Sequence, residues 1–397
     1  MATLNAFLTI LSLVLLVPAA VFLGQVLLAL TFRPEGTPEA GGRPRVALLV
    51  PAHDEAAEIA GSLATITPQL RAQDRLLVVA DNCSDDTAAI ARAAGAEAVE
   101  RTDAVRRGKG YALDYGLRHL AADPPEVVII VDADCRVAPG AIDVLARTCA
   151  SRNRPAQALY RMYAPEDAGV GLRIAEFAWL VKNHVRPLGL LKAGMPCQLT
   201  GAGMAFPWAQ LGEVDLASGS IVEDMKLGID LALLGRAAVF CPSALVTSTF
   251  PSVQNAQRQQ RTRWEHGHLS LIVGELPRLL FASLRKADTA ALGLAMDLAV
   301  PPVALLLILV LAQAALSGAA LWFNGGGTPF LLSLLALAMI AAAILLAWLK
   351  WGRQSLRFGD LLFAPVYAAR KLPLYARFWL ARQKDWVRTG RGRDERR

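Results

Sequence analysis

The apolar residues of this chain are gathered into long blocks, and those blocks constrain its architecture before any motif is considered. No side chain from Met1 to Phe32 is charged; the first that is charged is Arg33. The run 7–32 is long enough to cross a hydrocarbon core of roughly 30 Å. A cleaved leader would have a basic stretch ahead of a shorter apolar segment, so an uncleaved transmembrane helix is expected over 1–33. A second run covers Leu298 to Phe323, with Pro301 and Pro302 near its start, and a third covers Pro329 to Leu349. The short uncharged linker Asn324–Thr328 reads as a tight turn between them. The high mean hydropathy of +0.37 is thereby assigned to membrane spans and not to a large soluble core.

Charge is distributed just as unevenly. From Trp351 to Arg397 there are 12 Lys+Arg and 4 Asp+Glu, a surplus of 8 against a whole-chain net charge of +7, so the remainder sums to −1. The basicity therefore describes a tail, 351–397, and not the middle of the chain. Trp351, Tyr367, Tyr375, Phe378, Trp379 and Trp386 are interleaved with its cations. This mixture suits anionic membrane lipids as partners better than nucleic acid. Arg33, Arg43 and Arg45 closely follow the first run. Basic residues accumulate on the cytoplasmic side of membranes, so the middle segment and tail are expected in the cytoplasm and the 324–328 turn outside. The localisation expected is a multi-pass protein of the cell membrane. Five scattered cysteines without CxxC spacing give no zinc or disulfide framework.

The segment 34–44 is rich in Gly and Pro and reads as a linker. Beyond it, apolar strand signatures at 45–50, 75–80 and 126–131 alternate with helical patterns at 56–70, 86–95 and 109–120. Such alternation predicts an α/β fold with a doubly wound sheet. Each strand runs into polar residues: His53-Asp54-Glu55, Asp81-Asn82, and Asp132-Ala133-Asp134. Ligands of open α/β sheets bind beyond these carboxyl ends. Further helices are expected at 172–185, 222–234 and 254–274, with a small-residue loop at 200–206. The domain expected spans 34–274, followed by an interfacial segment and two spans over 275–350.

Three groups of residues carry chemistry. Asp132 and Asp134, two apart in a turn, offer hard oxygen ligands of the kind Mg²⁺ and Mn²⁺ prefer when they bridge to phosphates. Glu223-Asp224 opens a helix. One of these carboxylates is placed to act as a general base on an acceptor hydroxyl, although acids at a helix start also simply complement its dipole. Gln260-Arg-Thr-Arg-Trp264 lies before the second span. Its Arg can grip diphosphate oxygens and its Trp can stack on a sugar ring, although Arg and Trp also anchor proteins at bilayers. Lys109, after Gly108, could reach a phosphate.

The order Pro51-Ala-His-Asp-Glu55, Asp81-Asn-Cys-Ser-Asp-Asp-Thr87, Lys109-Gly110, Asp132-Ala-Asp134, Thr200-Gly-Ala-Gly203, Glu223-Asp224, Gln260-Arg-Thr-Arg-Trp264 resembles the family 2 inverting glycosyltransferases of GT-A fold. It looks most like their membrane-bound branch, which includes cellulose, chitin, hyaluronan and poly-N-acetylglucosamine synthases and ceramide glucosyltransferases. The resemblance implies a mixed, Rossmann-like sheet flanked by transmembrane helices. It implies that Pro51, His53, Glu55, Asp81, Lys109 and Asp132 bind the nucleotide sugar, that Asp134 with Asp132 holds Mg²⁺ or Mn²⁺, and that Asp224 is the base with Glu223 in support. Thr200, Gly201, Gln260, Arg263 and Trp264 would handle acceptor and diphosphate. Asp54 stands where Asn is commoner, and the small-residue loop lacks the usual Cys-Gly start.

The activity expected is transfer of a sugar, from a UDP-sugar by expectation, to a saccharide in envelope polysaccharide synthesis. Only three spans are evident, and that favours the alternative, a single transfer to a membrane lipid. A non-catalytic scaffold is disfavoured by the intact acids, and a phosphate hydrolase by the lack of a GxxxxGK[ST] loop.

Overall fold

The computed structural model describes residues 2–33, 42–217, 220–323 and 325–380. Most of the expected linker, Asn324 of the expected turn, and the tail beyond Leu380 with Trp386 lie outside the described residues. Eight strands form one sheet: β1 (Val46–Ala52), β2 (Arg75–Asp81), β3 (Glu97–Arg101), β4 (Val127–Ile130), β5 (Arg136–Val137), β6 (Ala156–Tyr163), β7 (Met204–Pro207) and β8 (Val239–Thr249). Their order is β3-β2-β1-β4-β7-β6-β8-β5. The half β3-β2-β1-β4 is parallel. β7 runs antiparallel to both β4 and β6, and β5 antiparallel to β8. The sheet is thus mixed, with its parallel part where strands and helices alternate in sequence.

Burial on both faces explains the continuous apolar strands. Ala47 and Leu49 of β1, Leu77 and Val79 of β2, and Val128 and Ile130 of β4 enter one core; their neighbours Val46, Leu48, Leu76, Val78, Val127 and Ile129 enter the other. Side chains alternate across a strand, so one apolar run supplies both layers.

The first core does not end at the sheet. Phe22, Val26 and Ala29 of the N-terminal helix and Ala343 and Ala347 of the last long helix belong to it. Three helices, Ala2–Leu30, Val303–Trp322 and Thr328–Gly352, are long and apolar enough to cross a membrane. A Cβ on Gly189 would run into the backbone carbonyl of Gln25, so glycine there lets helix Arg186–Lys192 lie against the first span. The two meet around a buried polar cluster. Arg186 Nε donates to Gln25 Oε1 at 2.8 Å and Arg186 Nη2 to Asp297 Oδ1 at 2.7 Å. Gln25 and Gln198 each donate to Asp297 at 2.8 Å.

Several boundaries differ from the sequence-based expectations. The second span begins at Val303, because Pro301 and Pro302 separate it from helix Thr289–Leu298. The helix expected over 172–185 begins at Val170 and passes through a π-helical turn at Val181–Val185 before continuing to Lys192. The segment 276–286 is a helix with Phe281 and Leu284 exposed. Of three short C-terminal helices, Phe358–Leu361 and Ala364–Ala369 lie against helix Val170–Leu180, and Leu372–Leu380 folds back onto helix Gln254–Gly274. Lys371 holds Glu265 at 2.5 Å there, and His266 Nε2–H donates to the Leu374 carbonyl at 3.0 Å.

Candidate active site

The carboxyl ends of β1, β2 and β4 open onto one side, and most of the residues singled out from sequence lie there. After β1, Asp54 adopts a left-handed φ of +52°, and after β2 Asn82 does the same; Asp and Asn tolerate this conformation best among non-glycine residues. Asp54 Oδ1 accepts the Ser84 N–H at 2.6 Å, so an aspartate suits the position where asparagine is commoner. The Glu55 N–H donates to Thr87 Oγ1 at 2.8 Å. His53 Nδ1 lies 2.6 Å from the Asp81 carbonyl; a carbonyl only accepts, so Nδ1 carries the proton. Pro51 stays within β1, paired with Val79. Asp81 is buried and ion-paired with Arg101 at 2.5 Å. That partner comes from β3, a strand the sequence pattern did not announce.

The second cluster is tighter. Lys109, the first residue of helix Lys109–Leu120, donates to Asp132 Oδ1 and, at 2.8 Å, to the Gly201 carbonyl. It also lies 3.9 Å from Glu223 Oε1. Gly201 has a φ of +91°, and a Cβ there would sit 3.3 Å from Asp224 Oδ2 and 3.7 Å from Asp132 Oδ2. Lys109, Asp132, Gly201, Glu223 and Asp224 therefore surround one small volume. The loop holding Gly201 is ordered by buried Gln157 of β6, whose Oε1 accepts the Thr200 N–H at 2.9 Å and whose amide donates to the Ala202 carbonyl at 2.9 Å. Thr200 Oγ1 is buried without a hydrogen-bond partner.

Burial dominates the electrostatics. It raises the pKa of Asp224, against the pull of Lys109 and of the Met225 N–H. It raises Glu223 as well, helped by the adjacent Asp224 charge. For Lys109 burial works the other way, but Asp132 and Glu223 outweigh it and the pKa is raised. The site holds an ammonium and acids whose proton affinity lies above the ordinary range, the combination expected of catalytic groups.

Asp132, Asp134 and Cys135 offer ligand atoms within 4.8 Å of one another, close enough to share an ion. Burial raises the Cys135 thiol far above its usual range, and sulfur is a soft ligand that suits these hard cations poorly. The two carboxylates are the effective donors, a hard oxygen pair that fits Mg²⁺ or Mn²⁺.

Helix Gln254–Gly274 divides its motif. Gln260 and Trp264 line a cavity together with Arg261, Glu265 and His268. Arg263 lies instead within electrostatic reach of Glu223. Trp264 packs on Trp179, ring centroids 4.7 Å apart and planes inclined by 40°. Trp179, Lys182 and Gln157 were not singled out from sequence. Its place as a polar residue, with Arg161, in the otherwise apolar strand β6 was the one available signal for Gln157. Nothing local marked the other two.

Residues 44–267 match the family described as glycosyltransferase like family 2. The match covers more than half of the chain, and the chain belongs to that family. It is a glycosyltransferase of the kind that uses nucleotide sugars, built on the GT-A fold. The solved mannosyltransferase PcManGT from Pyrobaculum calidifontis, in complex with GDP-Man and Mn²⁺, is 21% identical with a TM-score of 0.55, over 91% of this chain and 98% of that one. Glucosyl-3-phosphoglycerate synthase from Mycobacterium tuberculosis, in complex with Mn²⁺, UDP-glucose and phosphoglyceric acid, is 22% identical with a TM-score of 0.39, over 59% of this chain and 84% of that one. No curated protein matches the sequence.

Proposed function

We propose that this chain transfers a sugar, with inversion, from a nucleotide-diphosphate sugar to an acceptor hydroxyl at the cytoplasmic face of the cell membrane. The observation that carries the reading is the convergence of Lys109, Asp132, Glu223 and Asp224 on Gly201. Asp224 acts as the base: it takes the proton as the acceptor oxygen attacks the anomeric carbon and the bond from that carbon to the diphosphate breaks. Glu223 sits beside it, its own proton affinity raised by burial and by the Asp224 charge. Lys109 and Arg263 lie where they compensate the negative charge that develops on the departing diphosphate. Asp132 and Asp134 would hold Mg²⁺ or Mn²⁺, which supplies Lewis-acid stabilisation of that diphosphate. His53, Glu55, Pro51 and Asp81, at the ends of β1 and β2, would receive base and ribose, with Arg101 fixing the Asp81 carboxylate. The donor expected from the sequence is a UDP-sugar, and the GDP-Man held by the solved Pyrobaculum calidifontis mannosyltransferase puts a GDP-sugar beside it.

The acceptor in this reading is a saccharide of a cell-envelope polysaccharide, supported by the partly buried Trp264–Trp179 pair in the cavity wall. The alternative acceptor, a membrane lipid, is favoured by the membrane-helix residues that line the same cavity. The test is transfer by the full chain in lipid nanodiscs, supplied with labelled UDP- and GDP-sugars and Mn²⁺, with Asp224→Asn in parallel. Label is expected in product with wild type and lost in the variant. Transfer that survives Asp224→Asn would overturn the assignment of the base. Label in polymer would support the saccharide acceptor, and label in solvent-extractable material the lipid.

A further inference from the structure

Behind the carboxylate pair Asp132 and Asp134 runs a chain of contacts that the transfer chemistry does not use. The sulfur of Cys135, a buried residue, lies 3.4 Å from Asp134 Oδ1 and 3.7 Å from the Tyr160 hydroxyl. A thiol has one proton to give, and its sulfur accepts weakly. One arrangement satisfies both contacts: the Tyr160 hydroxyl donates to the sulfur, and the thiol donates to Asp134. Tyr160 itself is a buried residue of β6. The hydroxyl thus bears on the carboxylate through a single intervening side chain.

The Tyr160 ring carries the chain further. Trp179 stands edge-on to it, with centroids 5.4 Å apart and planes at 90°, and its Nε1–H donates to the Tyr160 carbonyl at 3.0 Å. The same indole packs on Trp264 at 4.7 Å and edge-on to Phe250 at 6.3 Å. Edge-on and offset pairs at such spacings are the favourable aromatic geometries. Trp179 and Trp264 both pack against the core that contains Cys135 and Tyr160. Contact is therefore continuous from Asp134 through Cys135, Tyr160 and Trp179 to Trp264. One end is the oxygen pair suited to a divalent cation. The other is the aromatic wall on the acceptor side. Close-packed interiors transmit a displacement instead of absorbing it in voids.

We propose that Tyr160 and Trp179 are positioning residues that tie the ion site to the acceptor side: Tyr160, through Cys135, aims Asp134 at the ion, and Trp179 sets the ring of Trp264. Loading of the ion with its nucleotide and the placement of Trp264 are then coupled. This rests on the reading of Asp134 as an ion ligand. Groups outside the ligand set orient the carboxylates within it, and losing one such group weakens metal affinity by about 10–100-fold. Coupling between two sites is reciprocal in binding free energy, so a change at either end is felt at the other.

The experiment uses the full chain in detergent micelles with UDP or GDP. Mn²⁺ affinity is read from the loss of the free-ion EPR signal. Tryptophan emission is read with Mg²⁺, which is not paramagnetic. Tyr160→Phe keeps the ring against Trp179 and deletes only the hydroxyl; it should weaken Mn²⁺ binding about tenfold or more. Cys135→Ala should lose as much. Cys135→Ser can still accept from Tyr160 and donate to Asp134, and should stay near wild type. Ion and nucleotide together should shift the emission of wild type. That shift should vanish in Trp264→Phe and shrink in Tyr160→Phe even at saturating ion. The proposal is overturned if Tyr160→Phe binds Mn²⁺ as wild type does, or if the emission shift is absent from wild type or survives Trp264→Phe. Losses in both Cys135 variants with none in Tyr160→Phe would make the sulfur itself a ligand and overturn it too. If wild type binds no ion, or Asp134→Asn binds it as well as wild type, the reading of Asp134 falls and takes the proposal with it. Binding that depends on Asp134 but ignores Tyr160 leaves that reading standing and removes the proposal alone.

Discussion

Lys109 and Glu223 lie 3.9 Å apart, ammonium nitrogen to carboxylate oxygen, and each is the first residue of its helix. Two helix N-termini therefore point at the volume where the diphosphate is proposed to lie, and backbone dipoles there favour negative charge. Lys109→Met would leave Asp132, Glu223 and Asp224 facing one another without that cation. We expect kcat/KM for sugar transfer to fall by about 10²–10³, the scale of losing one preorganised charge partner. The acidic limb of the pH–rate profile should also move to higher pH, because the remaining carboxylates bind protons more tightly. A profile that keeps its position would show that Lys109 is not electrostatically coupled to the base.

The pH dependence of rate and of stability should run in opposite directions. Transfer needs an ionised Asp224, whose pKa is raised by burial. The rate should therefore climb with pH through a value above the ordinary carboxylate range of about 4. A carboxylate with a raised folded-state pKa contributes stability that is complete below its unfolded pKa and is lost as pH rises through the folded pKa. Glu223→Gln removes one of the two competing charges. Its acidic limb should lie lower than that of wild type, and its melting temperature should exceed wild type at pH 8 and converge with it near pH 4. Equal melting temperatures at pH 8 would mean that the pair is not strained by its own charge.

Much of this site can be read in the residues themselves. Lys109, Asp132, Glu223 and Asp224 lie at strand or helix ends whose patterns are strong, so the chain announces both the residue and its placement. The antiparallel half of the sheet was less legible. β7 is only four residues long. In the parallel half the exception is β3, which reads Glu-Ala-Val-Glu-Arg, an edge strand with no apolar run to announce it. Its Arg101 pairs with the Asp81 carboxylate, and only the pairing of β3 with β2 reveals that. Lys182 was hidden for a different reason: it follows Trp179 and precedes Arg186 in what reads as one amphipathic helix. The π turn that changes its phase has no sequence signature.

Gly201→Ala tests how closely the catalytic cluster is packed. A left-handed φ at a non-glycine residue costs roughly 1–2 kcal/mol, and the new methyl would meet Asp224 Oδ2 at 3.3 Å, so the carboxylates must shift. Small misplacements at a reacting centre are felt strongly in rate. A loss of about 10²-fold in kcat with a small drop in melting temperature is expected. Full activity would place the reacting atoms away from Gly201.

The attachment of the first span to the catalytic domain is itself testable, because it runs through a charge. Arg186 and Asp297 are 5% and 6% exposed and share Gln25, which belongs to the span Ala2–Leu30. Removing one member of a buried pair leaves the other desolvated and unmatched and costs about 3–5 kcal/mol. Arg186→Met should destabilise the chain by that order in denaturant titrations of the purified, micelle-bound protein. Replacing both ends with apolar groups removes the unmatched charge, so Arg186→Met combined with Asp297→Leu should recover much of the loss. If the double variant is as unstable as the sum of the single ones, the two residues are not coupled, and the span is held to the domain by the apolar contacts of Phe22, Val26 and Ala29 alone.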